Sequence, residues 1–500
     1  MTDPAHPTTA ADLPEQVRVR RDKYDRLVAA GTEPYPLGYP RTSTLEQVRQ
    51  QHADLAVDTA TGEVVALTGR VVLSRQGGKL CFATLQDGEA QLQVMVSLNG
   101  VGADRLADWK SDVDLGDHVG VTGEVISSRR GELSVLASSW QLTSKALRPL
   151  PDKHHGLSDP EVRVRQRYVD LIVNPDARRV ARERATVVRS LRRTLDERGH
   201  VEVETPVLQV VHGGAAARPF HTHVNALDLD VTLRIATELY LKRLVVGGLD
   251  RVYELGKTFR NEGIDSTHFP EFTELEAYEA YGDYDSLAAV TRDLVLDAAR
   301  AVGRTTVEVA GTVVDLEQPW THATLHGLVA AAVGRPVTPG TDLAELVAIA
   351  AEHDVALQAG WDAGEVVLEI YEQLVEHTLI QPTFVRDYPA SVRPLARPHR
   401  DDPRLAEAWD LIIGGVELGV AFSELVDPVE QRRRLTEQSL RAAGGDPDAM
   451  QLDEDFLRAL EHGMPPTGGM GLGVDRLVML LTGLSIRDTI LFPLVRPEAG

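Results

Sequence analysis

The stretch FRNEGIDSTHFPEFTELEAY, residues 259–278, sets an Arg-Asn-Glu-Gly turn between two segments that alternate in the manner of β-strands. Alternation predicts Phe272, Glu274, Glu276 and Tyr278 on one face and Thr273, Leu275 and Ala277 on the other. Carboxylates, a phenol and an aromatic ring aimed one way suit a small cationic ligand with a flat ring beside it. Arg260 and His268 bracket the turn, and a forked guanidinium matches phosphate or carboxylate. Further on, Asp410 and Glu417 in DLIIGGVELG offer paired hard oxygens of the kind that hold Mg²⁺ against a triphosphate. Their odd separation puts them on opposite faces of an uninterrupted strand, and Gly414–Gly415 permits a bulge that realigns them. In GGMGLGVDR, Gly469, Gly471 and Gly473 recur with period two, leaving a bare strand face that a flat ring can approach. Arg476 then opens a helix, where a cation is misplaced electrostatically unless an anionic ligand meets it.

Other patterns carry less. GKT at 256–258 lacks the earlier glycine of a phosphate loop, since position 251 is Arg, and the segment runs on as strand. The period-two glycines are wrong for a dinucleotide-binding turn. His154–His155 has no third ligand nearby. The single cysteine, Cys81, between Leu80 and Phe82, reads as a small buried hydrophobe and fits a reducing cytoplasm.

The 500 residues carry a net charge of −23, which lowers the expectation of a nucleic-acid partner but does not exclude a local basic stripe. Before residue 151 there are 16 Lys+Arg against 19 Asp+Glu; the other 36 and 56 follow it, so the acidity lies in the larger part. No stretch approaches the roughly 20 apolar residues of a membrane span, and MTDPAHPTTAADLPEQ lacks the apolar core of a signal peptide.

These residues need elements to position them. About ten Thr/Ala/Pro-rich residues read as a disordered start, within residues 1–60 that form a tail and basic helix. Asp12 with Glu15 resembles a capping box, Pro14 sits near the first turn and Gly31 stops the helix. Val17, Tyr24, Leu27 and Val28 make its apolar stripe, with the basic residues on a solvated face. Within 61–150, five short strands suit a small closed β-barrel of the OB type. Phe82 and Arg75 could stack and bind bases there, although a lone Phe is more often core. The third region, 151–500, opens with a helix over 176–198, whose Val180, Val187, Leu191 and Leu195 share a face, and a strand VEVETPVL ended by Pro206. A helical insertion spans about 285–380, and Arg432–Arg434 read as a solvated helix face. The fold class is α+β.

Taken together, VETPVL, FRNEGIDSTHFPEF and GMGLGVDRLVML resemble motifs 1, 2 and 3 of the class II aminoacyl-tRNA synthetases. RYVDL, GGAAARPF, NALDLD, ELYLKRLVVGGLDRVYELGKTFRNEG, FSEL, EHGMPPT and RDTILFPLVRP are similar to the bacterial lysyl-tRNA synthetases, over residues 15 to 497. The class I signatures HIGH and KMSKS are absent. The resemblance implies an OB-fold anticodon domain before an antiparallel-sheet catalytic domain, a homodimer joined through 176–206, and ATP, L-lysine and tRNA(Lys) as substrates. It implies that Arg260 meets the α-phosphate and the lysine carboxylate, Arg476 the γ-phosphate and His268 the phosphate tail. Phe272 would stack on adenine with Glu262 at its edge, and Asp410 and Glu417 would bind Mg²⁺. Gly214 and Glu238 would face the α-amino group, and Glu276, Tyr278 and Glu424 the ε-ammonium. Arg75, Phe82 and Gln93 would read the anticodon.

Several positions depart from the family. The usual Asn is replaced by Val420 and by Phe269, Pro by Thr237, Met by Glu274 and Glu by Asp410. Val420 stands where the usual Asn would help hold the lysine carboxylate. Two alternatives therefore stand beside a lysine-charging enzyme. One is a paralogue with weakened or altered substrate use. The other is a non-catalytic tRNA-binding protein, against which Arg260, Glu262, Phe272, Glu417 and Arg476 argue.

Overall fold

The computed structural model describes residues 13–151, 157–443 and 450–497. The expected disordered start, Asp12 and the His154–His155 pair lie outside them. The chain divides into two compact units between Pro175 and Asp176, with the residues after Pro493 belonging to the first. The division falls later than the expected 150/151. Two short helices, Pro160–Arg165 and Arg167–Val173, group with the first unit, where Arg163 and Arg167 converge on the buried Asp170 carboxylate.

In the first unit, strands β1 (Ala60–Gln76), β2 (Leu80–Asp87), β3 (Ala90–Ser97), β4 (His118–Ser127) and β5 (Leu133–Ser144) close into a barrel in the order β1-β2-β3-β5-β4. Alternation does the work: Cys81, Ala83 and Leu85 on β2 and Leu92, Val94 and Val96 on β3 point inward and are buried. The helix Glu15–Ala29 has Pro14 at its N-cap position with no side-chain cap there, and the Asp12 half of the expected capping box lies outside the described residues. Its basic face is also less solvated than expected. Arg20 is buried and donates to the carbonyls of Leu115 and Ala146, each at 2.9 Å, while Lys23 pairs with Asp114 at 2.7 Å. Val28, assigned to the apolar stripe, is exposed instead.

The second unit is built on an eight-stranded sheet. Its strands are β6 (Val201–Glu202), β10 (Arg251–Phe259), β11 (Glu271–Ala280), β14 (Thr321–Thr324), β15 (Thr383–Pro389), β16 (Leu405–Ile413), β17 (Val416–Ser423) and β18 (Thr467–Gly473). A small sheet is formed by β7 (Leu208–Gln209), β8 (His221–Val224) and β9 (Leu229–Leu233), and a hairpin by β12 (Thr306–Val309) and β13 (Thr312–Asp315). The large sheet runs β14-β15-β16-β17-β18-β11-β10-β6, antiparallel except for its two outermost pairs. The predicted strand after the first helix is only two residues long, since the chain leaves the sheet well before Pro206.

One face of the sheet makes the core. Leu275 and Ala277 of β11, Met470 and Leu472 of β18, and Trp409 and Leu411 of β16 pack with Leu191 and Leu195 of the helix Pro175–Glu197 and Leu294 of the helix Tyr284–Ala301. That leaves the opposite parity of each strand free for chemistry. Among the described residues no helix is long and apolar enough to cross a membrane.

Candidate functional site

Register aligns the residues that alternation selected. Reading across four strands, Asp410 pairs with Val420, Val420 with Gly471 and Gly471 with Glu276. The next rows set Glu274 against Gly473 and Tyr278 against Gly469. The glycine stripe therefore runs down the middle of an acidic face.

Its role differs along its length. A Cβ on Gly469 would collide with Tyr278 and Glu424, so this glycine makes room for protein side chains and not for a ligand's ring. Only Gly471 and Gly473 line the open cavity, of about 300 Å³, whose walls include Arg260, Glu262, His268, Phe272, Glu274, Glu417, Val420 and Arg476. Arg260 lies with its guanidinium carbon 5.0 Å from the centre of the Phe272 ring, and its Nε donates weakly to the Ile235 carbonyl at 3.3 Å. Arg476 stands on the first turn of the helix Val474–Thr482. Its Nη1 donates to the Glu417 carbonyl at 2.6 Å, and its Nη2 lies 3.0 Å from His268 Nε2. His268 Nδ1 meets Asp265 Oδ2 at 2.8 Å, so the ring donates there and accepts from Arg476. Glu262 accepts from the Arg218 amide at 3.3 Å. Phe269, in place of an amide, packs with Ile486, Ile490 and Met479.

Asp410 and Glu417 do not belong to one strand. Gly414 and Gly415, both at positive φ, make the tight turn of a β16–β17 hairpin. The realigning bulge lies instead at the register shift opposite Leu411 and Ile412, and it returns Glu417 to the face that carries Asp410. One Asp410 oxygen accepts from Arg393, while the other is buried without a partner. Burial lifts this carboxyl to about 6 against the pull of Arg393, and Glu417 adds to the rise. An orphaned buried carboxylate oxygen beside a second carboxylate fits a divalent cation whose remaining ligands are water and phosphate oxygens. Among the described residues no three His, Cys, Asp or Glu side chains gather as a complete protein cage.

Past Gly471 the face is buried. Glu276 accepts from the Thr237 amide at 2.8 Å and from the Tyr278 hydroxyl at 3.2 Å. Burial, then the neighbouring Glu274 and Glu238, push its carboxyl well above the ordinary range. Glu274 Oε2 lies 3.9 Å from Arg260 and is buried without a hydrogen bond. Glu238 begins the helix Glu238–Val246, and Gly214, at φ +88, lies where an added Cβ would press on it at 3.1 Å. Gly214 borders a second cavity, away from Arg260.

Three features escaped the sequence reading. Lys242 is fully buried and pairs with both Glu238 and Glu424; its i,i+4 spacing from Glu238 was visible, its burial was not. Asp475 accepts from the Thr273 amide at 2.6 Å and from Arg184, locking β11 to the helix that carries Arg476. Asp265 holds the Thr267 and His268 amides as well as the His268 ring. In the Arg432–Arg434 run, Arg434 is buried and donates to the Ala396 carbonyl at 2.9 Å, so only its two neighbours are solvated.

On the barrel, Phe82 faces outward between the buried Cys81 and Ala83, with the Arg75 guanidinium 5.9 Å from its ring, so the core expectation for it fails. Gln93 is opposite Thr84 and donates to Ser134 at 2.8 Å.

An acidic pocket beside a pair of phosphate-competent arginines, on an antiparallel sheet, defines a class. The chain belongs to the class II tRNA synthetases of the D, K and N branch, whose family description matches residues 159–496, while that of the OB-fold nucleic acid binding domain matches residues 65–143. Within that class it is 55% identical over 501 residues to lysine–tRNA ligase 1 of Mycobacterium tuberculosis (strain ATCC 25618 / H37Rv), covering 98% of this chain and 99% of that one. It is 56% identical over 505 residues to lysine–tRNA ligase of Mycolicibacterium gilvum, with both chains covered entirely. The lysylphosphatidylglycerol biosynthesis bifunctional protein LysX of Nocardia farcinica is 54% identical over 491 residues, 97% of this chain and 43% of that one.

Proposed function

We propose that the chain is a lysine–tRNA ligase of the cytoplasm, which activates L-lysine with ATP and passes the lysyl group to tRNA(Lys). The observation that carries this reading is the continuity of two surfaces. A phosphate-competent wall, Arg260, His268 and Arg476, adjoins a buried acidic face, Glu238, Glu276, Tyr278 and Glu424, across Gly471. An ammonium-bearing amino acid on the second surface presents its carboxylate to the first. A carboxylate is already a nucleophile, so the protein's task is to hold it in line with the α-phosphorus and balance the charge that develops. Arg260 bridges the carboxylate and the α-phosphate, and Arg476, aimed by Glu417 and His268, takes the γ-phosphate. Phe272 stacks on adenine with Glu262 at its edge. Asp410 and Glu417 would hold Mg²⁺, which would supply charge neutralisation for the triphosphate. Lysine-dependent ATP–pyrophosphate exchange tests the reading: exchange with lysine and not with neutral amino acids is expected, and exchange with another amino acid alone would overturn it.

Val420 supports a weak hold on the substrate's carboxylate end. It is partly exposed at the cavity, whereas Ala421 faces the core, so Asn at 420 needs no companion change. Restoring one polar contact is worth about 1–3 kcal/mol. Val420→Asn should lower the KM for lysine by about tenfold with little change in kcat. A KM unchanged in steady-state exchange would remove position 420 from carboxylate recognition.

The anticodon is read by the outer face of β1–β3. Phe82→Ala should weaken aminoacylation of tRNA by the roughly 1–3 kcal/mol of one stacked base while leaving lysine activation intact. Equal losses in exchange and charging would contradict it.

The chain also assembles as a homodimer through the first helix and strand of the second unit. Support comes from the open edge strand β6 and from the exposed Val201, Val207, Leu208 and Val210 beside it. Tyr281, at φ +62, is also largely exposed. Sedimentation at roughly micromolar concentration should give a dimer, and Val201→Asp should shift it toward monomer.

A further inference from the structure

The acidic face contains one cation that the substrates do not explain. Lys242 is on the second turn of the helix Glu238–Val246, with no exposed side-chain surface. Its Nζ donates to Glu238 Oε1 at 2.6 Å and forms an ion pair with Glu424 Oε2, which lies just beyond the end of β17. A buried ammonium needs compensation, but one carboxylate suffices for that. Here two converge on the same nitrogen, and both are among the groups assigned above to lysine. The inference therefore rests on that reading.

The surroundings say what the ammonium does. Glu424 faces Lys242 and Glu238 from the helix and Tyr278 from β11, beyond which Glu276 lies. Lys242 is the positive group among them; Arg260 serves the phosphate end of the sheet. Glu424 Oε1 is buried with no partner, and the missing side chain of Gly469 leaves it space. One oxygen is thus held by the protein's own ammonium, and the other is left for an incoming one.

We propose that Lys242 is a positioning residue for amino-acid selection, an internal counter-ion that fixes Glu424 and Glu238 and balances their mutual repulsion while the pocket is empty. Substrate lysine then meets a carboxyl group already aimed, and its ammonium takes the place of any proton on the oxygen that Lys242 does not use. Burial pushes Glu424 up to about 8 even beside Lys242, so loss of the ammonium moves it further upward.

The test is lysine-dependent pyrophosphate exchange by the full chain from neutral pH to about pH 9. Wild type is compared with Lys242→Met, Glu424→Gln and the double variant. Lys242→Met should raise the KM for lysine at least about tenfold, spare the KM for ATP, and move upward the pH at which the lysine KM levels off. In the Glu424→Gln background the same change should add much less than in wild type, because the Glu424 route has gone and only the contact with Glu238 remains. Unchanged lysine KM and pH profile, fully additive losses, or equal damage to lysine and ATP use would overturn the proposal. Should Lys242→Met not fold, the double variant, which removes both charges, is read against Glu424→Gln. Equal lysine KM supports the proposal, and a further large rise defeats it. No lysine-dependent exchange in wild type would instead defeat the pocket reading itself.

Discussion

Arg260→Ala should abolish lysine-dependent ATP–pyrophosphate exchange, by at least about 10³-fold in kcat/KM, while the protein still folds. The size of the loss follows from what Arg260 faces. It is the guanidinium at the junction of the cavity and the acidic face, with Phe272 under its plane and Glu274 at 3.9 Å. A carboxylate and an α-phosphate brought together there repel each other in the ground state and more so as the new bond forms. Removing one preorganised charge from such a site costs about 10²–10³ in kcat, and Arg260 serves two anions at once. The fold should survive because the side chain makes one hydrogen bond of 3.3 Å, to Ile235, and is partly exposed. Lysine should not substitute well, since a point charge lacks the two-pronged geometry. Thermal unfolding unchanged and exchange lost is the expected pair of results; exchange within about tenfold of wild type would take Arg260 out of the reaction.

How much of this was legible in the sequence depends on the range of the physics. Parity along a strand is local, so Phe272, Glu274, Glu276 and Tyr278 could be placed on one face from the sequence, and the strand Glu271–Ala280 carries them so. The alternation of Leu92, Val94 and Val96 located the barrel wall for the same reason. Relations between strands are not local. That Gly414–Gly415 turns a hairpin, and that Gly469 yields its space to Tyr278 and Glu424, follow from register, which four separate segments set together. Burial of charge was the least visible. Arg20 and Arg434 sit in charged runs that read as solvated faces, and their inward turn depends on carbonyls far away in the chain, as the burial of Lys242 depends on the distant Glu424. Phe82 erred in the other direction, since an isolated aromatic on a strand gives no sign of which side its strand shows to the barrel.

Glu424→Gln should raise the KM for lysine by about 10²-fold or more with a much smaller effect on the KM for ATP. Glu424 is 2% exposed, so its charge acts where water screens little, and one of its oxygens has no partner until a ligand supplies one. A neutral amide keeps the shape and loses the attraction, and it also discriminates less against uncharged side chains of similar length. The pH dependence fixes the sign. Burial raises the Glu424 carboxyl to about 8, so below that pH the empty pocket carries a proton there that an ammonium must expel. The lysine KM of the wild type should therefore fall as pH rises toward about 8 and then level off, because the substrate's ε-ammonium stays charged to about pH 10. Glu424→Gln has no such proton to lose, so its raised KM should be flat across the same interval. A Glu424→Gln enzyme whose KM still falls toward pH 8 would move the titration to Glu276 and take Glu424 out of ammonium recognition.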